Sequence, residues 1–146
     1  MTVWFVGFPT DDSSARRWWR VFTRPGYRHV LCWRSDGDGV LVVNPLASGI
    51  EIERRRCDLA RFTAEMVLER RIWTLCLASA ALPPAPPDRP PLRLFLTCTE
   101  IVKAALGLRA WWCFTPSQLA RLLRRLGAMP VLPAIAETMH SRGDLP

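Results

Sequence analysis

The sequence predicts an α+β fold in which an antiparallel sheet packs against helices. Three observations carry this. Residues 28–44 hold the strongest hairpin signal in the chain, two alternating stretches around Ser35-Asp36-Gly37-Asp38. Segments starting at Asp58, Thr97 and Thr115 place apolar residues at helical spacing behind good N-caps. The apolar fraction of 49% is enough to build a core around both.

Taken in order, Thr2 to Phe8 is β-branched and aromatic, ends at Pro9, and is expected as a strand. Ala15, Trp18, Trp19 and Phe22 then predict an amphipathic helix over 13–23, with Arg16, Arg17 and Arg20 mostly off its apolar stripe. Pro25-Gly26 is a turn. A four-residue loop would pair Arg34 with Gly39, Trp33 with Val40, Leu31 with Val42 and His29 with Asn44. The period of two then puts those last six side chains on one face. Directly opposed residues have β-carbons about 4.5–5.5 Å apart, so imidazole and carboxamide would be neighbours at the open end of an apolar face. Asn44-Pro45 is expected to end that strand.

Gly49 to Arg56 alternates again and predicts a third strand with a basic end. Asp58 caps a helix to about Arg70, and Ile72 to Ala78 reads as a central strand. Residues 83–91 hold six prolines and predict an extended connector. Thr97-x-x-Glu100 is a capping-box pattern that starts a helix with Cys98 in its first turn, and Gly107 supplies its stop. Ala110 to Phe114 is expected as a short strand. Thr115-Pro116 opens a helix carrying Leu119, Leu122, Leu123 and Leu126, stopped by Gly127. The organisation expected is a single domain over 1–127 and a C-terminal tail over 128–146 that packs on something or stays mobile.

The balance of 20 basic and 13 acidic residues gives +7, which favours anionic partners, nucleic acid among them. Arg16, Arg17, Arg20, Arg54, Arg55 and Arg56 would carry such binding, although no nucleic-acid reader motif accompanies them. Five cysteines without a C-x-x-C pair suggest neither a disulfide framework nor a ribbon-type zinc site. A site from His29, Cys32 and Cys98 or Cys113 has poor spacing, and no cofactor or metal is expected. Met1 to Val6 lacks a basic leader and cleavage pattern, and Ile72 to Leu82 is too short to cross a bilayer, so no secretory signal or membrane span is expected.

Cys98, His29 and Asn44 form the candidate site. The orphan N–H groups at a helix start favour a thiolate. Thiol chemistry also needs a base and a third group that fixes the base's tautomer, roles open to His29 and Asn44. Each has an ordinary alternative: a small buried cysteine, a strand-end histidine, a turn asparagine. The order His29, Asn44, then Thr97-Cys98-Thr99-Glu100-Ile101-Val102-Lys103 resembles circularly permuted papain-like proteins of the NlpC kind, in which the histidine strands precede the cysteine helix. Residues 28–126 also resemble small proteins of tailed bacteriophages. The resemblance implies a thiol peptidase or amidase with Cys98 as nucleophile, His29 as base and Asn44 as orienter, acting on a peptide or amide in the bacterial cytoplasm or the virion. It leaves open a non-catalytic virion or tail component, bound to other virion proteins through the tail and a Trp-rich surface.

Overall fold

The computed structural model describes residues 2–9, 29–46, 49–82 and 97–143. The helix expected over 13–23, the Pro25-Gly26 turn and the 83–91 connector lie outside the described residues. Six strands, β1 (Val3–Phe8), β2 (Leu31–Asp36), β3 (Gly39–Leu46), β4 (Gly49–Arg55), β5 (Trp73–Ala78) and β6 (Met129–Pro130), form one sheet in the order β4-β3-β2-β1-β5-β6. Every neighbouring pair is antiparallel. Helix α1 (Leu59–Ala64) runs on as a π-helical turn, Glu65–Glu69, and α2 (Cys98–Ala105), α3 (Pro116–Arg125) and α4 (Pro133–Gly143) complete the α+β fold.

The two-residue period divides the sheet into two apolar faces. Trp4, Val6, Phe8, Val30, Cys32, Val43, Leu75 and Leu77 pack on one side with Ile101 and Val102 of α2 and Leu119 and Leu123 of α3. Phe5, Leu31, Trp33, Val40 and Val42 pack on the other with Phe62, Met66, Val67 and Ala136. Trp33 anchors the second face: it is fully buried, stacks on Phe5 and donates its indole N–H to Thr63 Oγ1 at 3.0 Å. A β-carbon at Gly7 would lie 2.7 Å from the Trp33 ring, so only glycine lets the indole cross β1 there. Trp33→Phe removes the donor to a buried hydroxyl and is expected to cost about 1–3 kcal/mol. A fall in the urea midpoint at unchanged m value would show this; an unmoved midpoint would show that the bond contributes nothing.

The hairpin differs from expectation in register. Asp36 pairs with Gly39, Trp33 with Val42 and Cys32 with Val43. The loop is therefore two residues, Gly37-Asp38, not four. Gly37, at φ +63°, occupies the first turn position, where a tight type II′ hairpin favours glycine. The register moves by two, which keeps every side chain on its expected face. Strand β3 also continues through Pro45 to Leu46 instead of ending at Asn44. Pro45 lies beyond the last β2–β3 pair, where β3 has β4 alone as neighbour and a missing donor is tolerated.

The other elements follow local chemistry. Asp58 accepts from the Ala60 and Arg61 amides at the start of α1. Thr115 and Gln118 close a full capping box at the start of α3, with Pro116 at its first position. Residues 110–114 correct the expected strand: they form turns, with the Cys113 amide bonded to the Ala110 carbonyl at 3.1 Å. The cause is Lys103, buried in α2, whose Nζ takes the Ala110 and Cys113 carbonyls at 2.7 and 2.8 Å and pairs with Glu100. One ammonium thus draws two carbonyls inward and leaves Trp111, Trp112 and Phe114 facing out. Residues 129–136 belong to the packed structure: β6 pairs with β5, and Val131 and Ala136 are buried in the second core.

Candidate active site

The open end of the second face holds the predicted pair. His29 Nε2 and Asn44 Oδ1 are 3.0 Å apart. Asn44 lies one residue beyond the last β2–β3 pair, Cys32 with Val43, and His29 reaches it past the end of that ladder. Asn44 Nδ2 in turn donates to Glu51 Oε2 at 3.0 Å, because β3–β4 pairing sets Asn44 directly opposite Glu51. Sequence reading missed Glu51. The alternation over 49–56 was its only signal, and its meaning depends on the β3–β4 register.

A cleft of about 280 Å3 opens beside this chain of bonds. His29, Asn44 and Glu51 line it together with the apolar Leu31, Val42, Met66 and Ile72 and the charged Glu53, Arg55 and Arg70. Glu53 pairs with Arg55 at 2.9 Å, and Arg70 pairs with Glu65 at 3.1 Å. The cleft walls are thus largely charge-compensated around an apolar interior.

Cys98 begins α2 as expected. Thr97 is the N-cap, accepting from the Glu100 amide at 3.2 Å, but the Glu100 carboxylate is engaged by Lys103 and the capping box stays half closed. The sulfur is half-buried against the first core. Burial pushes its thiol pKa up, against the opposing pull of the Val30, Thr99 and Cys98 amides and the Thr99 hydroxyl. The helix-start amides favour the thiolate as expected, but desolvation is the larger effect here. Thr99 Oγ1 is wholly buried and makes no conventional hydrogen bond; the Cys98 sulfur is the group its hydroxyl favours as an anion.

The structure brings His29 and Asn44 into hydrogen-bond contact. It packs Cys98 against the first core, whereas the cleft that His29 and Asn44 line opens on the second face and does not include Cys98. Thiol and imidazole do not hydrogen-bond to each other among the described contacts. Burial raises the other four thiols as well, Cys32 to about 12 and Cys113 to about 11, with Cys57 and Cys76 also pushed up.

No three His, Cys, Asp or Glu side chains among the described residues are grouped to hold a metal ion. No described helix is long and apolar enough to cross a membrane. Of the arginines that could meet nucleic acid, Arg54 is engaged by Asp36 and Asp38 at 3.3 and 2.7 Å and Arg55 by Glu53, while Arg16, Arg17 and Arg20 lie outside the described residues. Compared with family models, curated proteins and solved structures, the chain matches none.

Proposed function

We propose that the protein is a thiol hydrolase acting on an amide bond, with Cys98 as nucleophile, His29 as base and Asn44 as orienter. The observation that carries this reading is the His29 Nε2–Asn44 Oδ1 contact, which leaves ring nitrogen Nδ1 to act as base. Because burial raises the thiol pKa, the nucleophile has to be generated by proton transfer during the reaction. The reading requires substrate binding to bring thiol and imidazole together around the end of β2, where His29 is free of both ladders.

The steps balance without a cofactor. The Cys98 proton passes to His29 Nδ1 as the sulfur bonds to the substrate carbonyl carbon. His29 returns that proton to the amine nitrogen, the C–N bond breaks, and the amine leaves a thioester. Water then attacks the thioester with His29 again as base, which releases the acid and restores the thiol. A permuted papain-like arrangement of the NlpC kind would have this order of residues. Acid-quenched mass spectrometry after exposure to a panel of aminoacyl nitrophenyl esters and nitroanilides tests the reading. An acyl adduct on Cys98 alone is expected; no adduct there, or equal labelling of Cys57, would contradict it.

A second reading is favoured by a separate observation. Trp111, Trp112 and Phe114 are 80%, 39% and 48% exposed on the turn that Lys103 holds. Such clustered aromatics suit a contact surface in an assembly, as in a virion or tail component. Sedimentation that shows association weakened by Trp111→Ser would support it. A monomer in both forms would count against it.

A further inference from the structure

We infer that Glu51 is a positioning residue that sets the tautomer of His29 through the Asn44 carboxamide. A carboxamide has two orientations, one presenting oxygen to the imidazole and the other its amino group. A carboxylate accepts hydrogen bonds and does not donate them. Asn44 therefore has to turn Nδ2 to Glu51, and the 3.0 Å contact with Oε2 records that choice. Its Oδ1 is then committed to His29, 3.0 Å from Nε2. An amide oxygen only accepts, so the ring proton sits on Nε2 and the lone pair on Nδ1. Without Glu51 both orientations of Asn44 are open, and half of them would put the ring proton on the nitrogen that has to act as base.

The catalytic meaning of this arrangement rests on the thiol-hydrolase reading; the tautomer itself does not. Long-range nitrogen-15 correlation spectra of the full chain near pH 8, where an imidazole is mostly neutral, read the tautomer directly. His29→Gln identifies which of the two histidines is which. Glu51 is exposed on an edge strand, so its substitution leaves the core untouched. Wild type is expected to show the Nε2–H form. Glu51→Lys reverses the hydrogen-bond polarity: the ammonium donates to Asn44 Oδ1 and turns Nδ2 to the ring, and the Nδ1–H population should rise about tenfold. Glu51→Gln, which donates as well as accepts, and Glu51→Ala, which does neither, should both show a mixture. Nε2–H persisting in both Glu51→Lys and Glu51→Ala would overturn the inference. A tautomer that shifts as expected in a protein whose Cys98 never acquires an acyl group would leave Glu51's role standing and remove the hydrolase reading instead.

Discussion

Lys103→Met is expected to lower the unfolding free energy by about 3–5 kcal/mol, because it breaks a buried ionic contact by removing one partner. Methionine is of similar length, so the loss is not chiefly a cavity effect. What disappears is the donor to the Ala110 and Cys113 carbonyls and the cation facing Glu100. The Glu100 carboxylate, 13% exposed, is then left as an uncompensated charge. Glu100→Gln combined with Lys103→Met should recover part of the loss, since the orphaned charge goes with it. Urea unfolding of the three proteins measures both. A cost below ~1 kcal/mol, the size of a surface ion pair, would show that Lys103 does not brace the loop.

Cys98→Ala and His29→Ala are each expected to reduce amide turnover by at least ~1,000-fold, because nucleophile and base act as one unit. The double variant should be little worse than either single one, which is the mark of such a unit. Cys98 lies at a helix start and His29 at a strand end, both outside the densest packing, so thermal melting should stay near that of wild type. Comparable loss in Cys57→Ala, or additive losses in the double variant, would contradict the assignment. Burial raises the Cys98 pKa, so without His29 its thiolate fraction near neutrality should be small and should grow with pH. Any residual reaction in His29→Ala should accordingly rise toward alkaline pH.

The parts of the fold legible in the sequence are those fixed by local chemistry. Asp58, Thr97 and Thr115 announced their helices because a capping side chain and its amides lie within three residues. The faces of the hairpin were legible because alternation survives a two-residue shift. Its register was not, since Ser35-Asp36-Gly37-Asp38 is compatible with either loop length and the tighter turn prevails. Residues 110–114 looked like a strand because their side chains are apolar; their backbone is shaped by Lys103, seven residues back, which no local pattern reveals. Helix α4 was missed because it is mostly exposed on its described part and shows no apolar period.

The site divides along the same line. The His29–Asn44 neighbourhood was readable from the alternation of two strands. Glu51 was not, because its contact with Asn44 needs the pairing of β3 with β4. The helix start marked Cys98, but the burial that outweighs the helix-start amides is a property of the assembled core.

The most direct test is the rate at which iodoacetamide labels each cysteine near pH 7, read by peptide mass spectrometry in wild type and His29→Gln. The account predicts that Cys98 reacts about tenfold or more faster than Cys57 and Cys76 in wild type, and that His29→Gln removes the advantage, because a buried thiol without its base is mostly protonated. Equal rates at Cys98 and Cys57, or a Cys98 rate indifferent to His29, would show that the thiol and the imidazole do not work together.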